Sequence, residues 1–412
     1  MNRVVITGMG AITPIGNDVA TVWKNMRSGV CGIDKITRFD ASRLKCSLAA
    51  EVKNFVGKDY YESMQDYRKT DLYMQYAMAA SMEALDDSRL LENNPDKSRV
   101  GVYIGTGIGG INTTINECRK NDDKGPERVS PFFVPMMIGN MAAGSVSIRF
   151  GLKGPTLPIM TACATSTHAI GEAYRAIKHG YADAILAGGT EAAINELAMA
   201  GFVNCQALHL GDDPKTASIP FDKRRSGFVM GEGAAILVLE EYERAVSRDA
   251  KIYAEVVGYG NTADAYHITA PDPDAEGASR AIRQAVEEAE ITDCSEVYVN
   301  AHGTSTHMND AMETKALKQV FGDNAQSLHI SSTKSMTGHM LGATGAIEAI
   351  ASALTLKDGV IPPTVGYECA DEECDLDYTP NSALEYACRY AVSTSLGFGG
   401  HNACIALKKA ED

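Results

Sequence analysis

The feature of this chain that most constrains its fold is a regular alternation between short apolar runs and longer amphipathic segments. The apolar runs have the length of β-strands, and the segments between them have the apolar spacing of α-helices. The strand-like runs include residues 3–7, 99–104, 184–187, 234–239 and 296–300, and the helix-like segments include residues 72–85, 166–178, 278–289 and 345–356. Alternation of this kind predicts an α/β fold with buried, largely parallel strands.

An internal repeat of the apolar pattern indicates that this fold is duplicated. Five apolar residues between positions 169 and 177 have the spacing of one helix face, and the same offsets recur 177 residues later, between positions 346 and 354. A second repeat relates residues 101–104 to residues 296–299. Because the two repeated segments occur in the same order in each half of the chain, we predict two pseudo-symmetric halves.

The duplication has a consequence for the chemistry of the chain. A shift of 177 positions takes Cys163 to Met340, which is next to His339. A cysteine and a histidine would then occupy equivalent loops, each just before a helix, that meet where the two halves join. We predict that residues 1–250 form the half with the cysteine and that residues 251–412 form the half with the histidines.

Composition and charge argue against several classes of function. The formal net charge is −15, from 38 basic and 53 acidic residues, which argues against nucleic-acid binding. Apolar stretches such as residues 234–239 are too short to span a bilayer, and the N-terminal residues have the pattern of a buried strand rather than of a signal peptide. We therefore expect a cytoplasmic protein that binds neither nucleic acid nor membranes.

One of the ten cysteines has a context that favours reactivity. No Cys-x-x-Cys motif occurs, so the cysteines predict neither a disulfide framework nor a metal site, and a typical one is expected to be a small buried thiol. Cys163, however, lies between a strand-like run and an amphipathic segment. The positive end of a helix dipole lowers the pKa of a thiol at that position, and backbone N–H groups there can stabilise an oxyanion.

Two histidines and a phenylalanine lie in similar loops. His302 directly follows a strand-like run and precedes a glycine and three hydroxyl side chains, and His339 has glycines close on both sides. A fourth loop, residues 395–402, contains Phe398 flanked by glycines. A single histidine is more often structural than catalytic. Three separate loops that each offer one reactive side chain nevertheless predict an active site.

The four motifs together resemble the elongating 3-oxoacyl-(acyl-carrier-protein) synthases, most closely the type II branch, of the thiolase-like superfamily. The motifs are Thr-Ala-Cys-Ala-Thr-Ser around Cys163, Asn-Ala-His-Gly-Thr-Ser-Thr around His302, Lys-Ser-Met-Thr-Gly-His ending at His339, and Gly-Phe-Gly-Gly-His-Asn around Phe398. The resemblance covers essentially the whole chain. It implies a thiolase-like duplicated α/β fold, layered α-β-α-β-α, with two pseudo-symmetric halves.

The resemblance also implies a reaction, which forms a carbon–carbon bond. The growing acyl chain passes from acyl carrier protein to Cys163 as a thioester, and His302 and His339 assist the loss of carbon dioxide from malonyl-carrier protein. The resulting carbon nucleophile attacks the Cys163 thioester, for which the N–H groups of Cys163 and Phe398 form the oxyanion hole. No metal and no cofactor are implied beyond the phosphopantetheine arm that carries the substrates.

Further residues receive roles from the same resemblance. Lys334 and Glu313 match a supporting pair near the histidines, and Thr304 and Thr306 match positions that bind the phosphopantetheine arm. Phe398 resembles the gate between acylation and condensation.

The resemblance extends to the substrate pocket and to partners. Ile108 matches a residue that lines the acyl pocket, and Gly399 belongs to the substrate-binding loop. The implied partners are acyl carrier protein and a second copy of the chain. Because the carrier is acidic, we expect a local basic rim, for which Arg68, Lys69 and Arg128 are candidates.

Two alternatives remain open from the sequence. A polyketide ketosynthase would share every catalytic residue. A non-condensing acyl-binding partner that sets chain length belongs to a different class and would lack the nucleophile, so Cys163 argues against it.

Overall fold

A computed structural model of the protein describes residues 1–411, without the side chain of Asn93. The strands are β1 (Val4–Ile12), β2 (Asp34–Lys35), β3 (Leu48–Ala49), β4 (Val100–Gly105), β5 (Ala184–Glu191), β6 (Gly233–Glu241), β7 (Ala254–Ala263), β8 (Val297–Asn300), β9 (His329–Ser331), β10 (Val360–Ile361), β11 (Leu384–Glu385), β12 (Tyr390–Gly397) and β13 (His401–Lys409). The α-helices are α1 (Val19–Arg27), α2 (Met64–Tyr67), α3 (Leu72–Ser88), α4 (Ile111–Lys124), α5 (Phe133–Met137), α6 (Met141–Phe150), α7 (Thr165–Lys178), α8 (Glu196–Asn204), α9 (Tyr242–Ser247), α10 (Glu276–Glu288), α11 (His307–Phe321), α12 (Lys334–Thr337) and α13 (Thr344–Asp358).

Nine of these strands form one mixed sheet, in the order β4-β5-β6-β1-β7-β13-β12-β8-β9. The β4–β5, β12–β8 and β8–β9 pairs are parallel, whereas the other neighbours in the sheet are antiparallel. The prediction of largely parallel strands is therefore wrong. Strands that are buried on both faces have continuous apolar sequences whichever way they run, so the pattern did not reveal their direction.

The sheet contains the same arrangement twice. Strands β4, β5, β6 and β1 match β8, β12, β13 and β7 in order and in relative direction. The two sets are joined by an antiparallel ladder of three residue pairs, between residues 4–6 of β1 and residues 254–256 of β7. The topology thus has the two pseudo-symmetric halves that the sequence predicts.

The repeat distance differs from the predicted one. A short 3-10 turn precedes α7 at Ala162–Ala164, and an equivalent turn precedes α13 at Leu341–Ala343. The difference between 341 and 162 is 179 positions rather than 177, so Cys163 corresponds to Gly342 and not to Met340. Helix α13 is buried from its first residue to Leu356, so its apolar residues do not mark one face. The apolar spacing of α7 could therefore be aligned with α13 at a shift that is two positions too small.

The helices lie in three layers around the two sets of strands. Helices α3 and α6 cover the strands of the first half, and α10 and α11 cover those of the second half. Helices α7 and α13 lie between the halves, since α7 contacts β5 and β13 while α13 contacts β12 and β6. This is the predicted α-β-α-β-α layering. No helix within residues 1–411 combines the length and the apolar character that crossing a membrane requires.

A glycine permits close contact between the two central helices. A Cβ atom on Gly345 of α13 would lie 1.9 Å from Thr167 Oγ1 and 2.9 Å from Thr167 N of α7. The turns that precede these two helices also contact each other. The fold therefore brings the turn that contains Cys163 next to the turn that follows His339.

Candidate active site

Cys163 is held in a turn with unusual backbone geometry. Ala162, directly before it, has a φ of 50°, in the left-handed region that residues with a Cβ atom rarely adopt. The C-terminal loop approaches this turn closely, because a Cβ atom on Gly397 would lie 2.8 Å from Thr161 O and 3.2 Å from Cys163 N. The N–H groups of Phe398 and of Cys163 itself can therefore point at the sulfur, and both lower the pKa of the thiol.

Three reactive side chains converge at this turn. Cys163 Sγ and one ring nitrogen each of His302 and His339 lie within 4.8 Å of one another. The two imidazole rings have centroids 5.3 Å apart and are nearly perpendicular, and both histidines are almost fully buried. Such a set could also hold a metal ion. The expected absence of a metal stays a prediction.

The backbone and ring of His339 are both fixed. Its N–H donates to Val229 O at 2.7 Å, and its carbonyl accepts from Gly231 N at 2.8 Å. Its Nδ1 lies 3.0 Å from Thr344 Oγ1, in the first turn of α13. Its Nε2 is buried and has no hydrogen-bond partner within residues 1–411, so it is available to a substrate.

His302 is held through its backbone by a buried carboxylate. Glu313 accepts hydrogen bonds from His302 N at 2.7 Å and from Gly303 N at 2.8 Å. The hydroxyl of Thr394 donates to the same carboxylate, at 2.5 Å. The ring Nδ1 of His302 is buried without a partner among the described residues.

Lys334 holds the other side of the His302 loop. Its Nζ donates to His302 O and to Glu348 Oε1, each at 2.5 Å. Lys334 and Glu313 therefore contact the same loop from two sides, while the ion-pair partner of Lys334 is Glu348. Burial raises the pKa of Glu348 to about 7, and the nearby ammonium of Lys334 opposes that rise.

Burial also sets the protonation of the histidines. It lowers the pKa values of His302 and His339 well below 6.5, and the positive charge of Lys334 lowers them further. Both imidazoles are therefore neutral at pH 7. A neutral imidazole can donate one hydrogen bond into the cavity without adding a charge to it.

The thiol does not follow the expectation from its helix terminus. Burial raises the pKa of Cys163 to about 11, although Lys334 and the N–H of Phe398 act in the opposite direction. Desolvation of the anion outweighs the favourable backbone position, so the resting group is a thiol. The lowered pKa predicted for Cys163 from the helix terminus alone is therefore wrong.

The three side chains open into a cavity of about 340 Å³. Ile108, Thr304, Thr306 and Phe398 line this cavity, and Thr304 Oγ1 lies 2.9 Å from Thr306 Oγ1. Gly399 is not one of the lining residues that the structure describes; its N–H donates to Ile268 O at 2.8 Å. Arg68, Lys69 and Arg128 lie outside the lining as well.

Sequence reasoning missed three buried polar residues that shape the site. They are Glu191, Glu348 and Thr394. Glu191 accepts from Gly107 N at 2.8 Å and from Gly342 N at 3.1 Å, and thereby holds the acyl-pocket loop against the turn after His339. A signal was available for both acids, because Glu191 is the single charge in β5 and Glu348 the single charge in the first thirteen residues of α13.

Comparisons with known proteins agree with this fold and this site. The chain belongs to the beta-ketoacyl synthase family: the N-terminal domain of that family matches residues 1–245, and its C-terminal domain matches residues 253–368. The resemblance found in the sequence is thereby confirmed.

Curated relatives and solved structures cover the whole chain. A relative from Staphylococcus aureus named 3-oxoacyl-[acyl-carrier-protein] synthase 2 is 54% identical over 409 residues, which are 99% of each chain. One of the same name from Synechocystis sp. is 49% identical over 408 residues, 99% of this chain and 98% of that one. Among structures, the ishigamide ketosynthase/chain length factor matches with a TM-score of 0.93, and a beta-ketoacyl synthase from Burkholderia phymatum with 0.91. Both are 34% identical, over the full length of both chains.

Proposed function

We propose that this chain is a 3-oxoacyl-(acyl-carrier-protein) synthase of fatty acid elongation, an acyltransferase that joins malonyl-carrier protein to an acyl chain held on Cys163. The observation that carries this proposal is one sulfur and two neutral imidazoles within 4.8 Å of one another at a buried cavity. The proposal locates the nucleophile in residues 1–250 and both histidines in residues 251–412. No cofactor is needed beyond the phosphopantetheine arm of the carrier protein.

The first step loads the acyl chain. Cys163 Sγ attacks the thioester carbonyl of the acyl-carrier protein, loses its proton, and expels the thiolate of the phosphopantetheine arm, which takes up a proton. The N–H groups of Cys163 and Phe398 receive the negative charge that develops on the carbonyl oxygen. Since the resting sulfur is protonated, this step includes the departure of a proton from the thiol.

The second step forms the carbon–carbon bond. With the Thr344 hydroxyl as donor to Nδ1, His339 carries its proton on Nε2 and donates it towards the malonyl thioester oxygen. His302 supports the same oxygen. Carbon dioxide leaves, and its bonding electron pair forms an enolate that attacks the Cys163 thioester. Cleavage of that thioester releases the Cys163 thiolate, which takes up a proton to restore the resting thiol, and gives 3-oxoacyl-carrier protein.

Other residues support this chemistry. Lys334 and Glu313 hold the His302 loop through hydrogen bonds to its carbonyl and its N–H. We assign binding of the arm to Thr304 and Thr306, the gate to Phe398, substrate binding to Gly399, and the limit on the acyl chain to Ile108. Hydroxyl side chains at the cavity wall suit the amides of phosphopantetheine, and branched apolar side chains suit an alkyl chain.

The partners and location remain part of the proposal. We propose acyl carrier protein as the partner that delivers both substrates, with the basic side chains of Arg68, Lys69 and Arg128 as docking candidates. A solved structure similar to this chain contains a type II polyketide acyl-carrier protein in complex with its ketosynthase. The expected cytoplasmic location stays a prediction.

A polyketide ketosynthase is the second candidate. Two similar structures, each 34% identical to this chain, are by their descriptions ketosynthases that work with a chain length factor or on a hexaketide. The identity of 54% to a synthase 2 favours the fatty acid reaction. Product analysis separates the two, because a polyketide enzyme extends substrates that keep their β-keto groups.

The proposal is tested by mass spectrometry of the protein after incubation first with acyl-carrier protein and then with malonyl-carrier protein. Acyl mass is expected on the Cys163 peptide, and it disappears as a 3-oxo product with two more carbons forms. Cys163→Ala abolishes the acyl mass and the product, whereas His339→Ala keeps the acyl mass and loses the product.

The matched control is Cys205→Ala, which removes an exposed thiol that also lines the cavity. This variant is expected to load and condense like the unchanged protein. Acyl mass on any residue other than Cys163 would show that the nucleophile is misplaced.

A further inference from the structure

His168 connects three parts of the protein near the reactive turn without lining the cavity itself. It lies on α7, five positions after Cys163, and only 4% of it is exposed. Its Nδ1 is 2.7 Å from Thr161 Oγ1, two positions before Cys163, and its Nε2 is 3.1 Å from Asn261 Oδ1 on β7. The ring centroid is also 6.4 Å from that of His401, which follows the C-terminal glycine loop.

The partners of His168 determine which nitrogen carries its proton. Burial lowers the pKa of His168 to about 4, so the ring is neutral and has one N–H. Because Asn261 Oδ1 can only accept, Nε2 is the donor. Nδ1 must then accept, and the hydroxyl of Thr161 donates to it. Asn261 thus makes His168 an acceptor for Thr161.

Thr161 is the residue whose position matters most for this turn. It precedes Ala162, whose left-handed backbone is strained for a residue with a Cβ atom. Its carbonyl accepts from Ala164 N at 3.1 Å, and its N–H donates to Thr165 Oγ1 at 2.9 Å. With its side chain bound to His168 as well, Thr161 is held by three hydrogen bonds at the start of the turn that presents the Cys163 sulfur.

The second half of the fold provides an internal comparison. Its equivalent turn has the same left-handed geometry, with a φ of 44° at Leu341. At a shift of 179 positions, Thr161 corresponds to Met340 and His168 to Ile347, both apolar and fully buried. The left-handed backbone of the turn therefore forms without a side-chain hydrogen bond between these two positions. The Thr161–His168 hydrogen bond is present only in the half whose turn contains the proposed nucleophile.

We propose that His168 is a positioning residue for the nucleophile. By accepting a hydrogen bond from the hydroxyl of Thr161, it fixes the turn so that Cys163 Sγ faces the N–H group of Phe398 and the two histidines. This inference rests on the proposed role of Cys163. It predicts that reactivity of the thiol depends on the Thr161 hydrogen bond more than on the bond to Asn261.

Side-chain amides can separate the two bonds. An asparagine amide reaches about as far as Nδ1 of histidine, and a glutamine amide about as far as Nε2. His168→Asn therefore keeps an acceptor for Thr161, whereas His168→Gln keeps only the donor for Asn261. Thr161→Val removes the hydroxyl from the other side at nearly equal volume. Glu172→Gln, one turn further along α7, contacts Tyr259 and Arg175 instead and is the control.

The measurement is the rate at which Cys163 reacts with iodoacetamide, followed by peptide mass spectrometry, with thermal unfolding recorded for each variant. His168→Gln and Thr161→Val are expected to slow the reaction about tenfold or more, the scale on which small misplacements act. The double variant is expected to be no slower than the slower single one. His168→Asn should react faster than His168→Gln, and Glu172→Gln like the unchanged protein.

Two results would overturn the inference. One is a normal Cys163 rate in Thr161→Val. The other is a slow rate in every variant that disappears after correction for the unfolded fraction, which indicates a merely structural role. Acyl loading by the unchanged protein is measured in parallel. If it fails, the proposed function falls, while the alkylation comparison still decides the role of His168.

Discussion

At the scale of single residues, the site keeps its reactive groups uncharged until a substrate arrives. Cys163 is a thiol because burial disfavours the thiolate, and His302 and His339 are neutral for the same reason. Charged groups stand one layer behind them, where Lys334 and Glu348 form a buried pair. A buried, neutral pocket strengthens each hydrogen bond to an oxygen on which charge develops during the reaction.

The raised pKa of Cys163 predicts a pH dependence for its alkylation. A pKa of about 11 means that the thiolate fraction, and with it the rate, rises about tenfold per pH unit between pH 7 and pH 9. Free cysteine has a pKa of about 8.5 and levels off above it, so it is the comparison. Iodoacetamide rates for the Cys163 peptide measure this. A Cys163 rate that levels off below pH 9 would contradict the prediction.

At the scale of elements, the contact between α7 and α13 places the turn that contains Cys163 beside the turn that follows His339. Thr167 Oγ1 and Ser395 Oγ are 2.7 Å apart beside Gly345, and Ala346 N donates to Ser166 Oγ at 2.9 Å. These hydrogen bonds tie both central helices and β12 together. A helix displacement at this point therefore changes the distance between the sulfur and the imidazoles.

Gly345→Ala tests this contact. The added Cβ atom meets Thr167 at 1.9 Å, so we expect a loss of about 1 to 3 kcal/mol in the free energy of unfolding, together with slower acyl loading. Gly201→Ala in α8 is the matched control, because its Cβ atom meets nothing within 4 Å. That change is expected to stabilise by about 0.4 to 1 kcal/mol. Denaturant unfolding measures both, and equal stability of the two variants would show that the helices are not in firm contact.

Much of this element-scale order was predictable, and the reasons for the rest are physical. Strand and helix positions follow from apolar spacing, and Cys163, His302 and His339 stand out because small residues surround them in loops at element ends. Strand direction was not predictable, because a doubly buried strand has the same apolar pattern either way. Thr394 was missed because its role depends on Glu313, which lies 81 positions away in the chain.

At the scale of the whole molecule, exposed apolar side chains lie near one edge of the sheet. Residues 155–160 run beside the edge strand β4, with Leu157 N donating to Val102 O at 3.1 Å. Leu157 and Met160 are each about half exposed, and Ile148 is 78% exposed. Exposed apolar side chains on the segment that covers this strand favour self-association, which agrees with the second copy of the chain that the resemblance implies.

Light scattering after size exclusion tests the homodimer. The unchanged protein is expected at twice the mass of one chain, and Leu157→Glu is expected to shift it towards one chain, because the charge would be buried between copies. Leu210→Glu alters an equally exposed leucine in a different loop and is expected to remain dimeric. A monomeric unchanged protein would disprove the homodimer.

In the central sheet, the two halves of the fold are joined by only three residue pairs, in the ladder between β1 and β7. Cys163 belongs to the half that contains β1, and both histidines belong to the half that contains β7. The ladder therefore acts together with the contact between α7 and α13 to hold the sulfur and the imidazoles near one another. The distance over which the thioester and the enolate must meet is therefore fixed by the contacts that join the two halves of the fold.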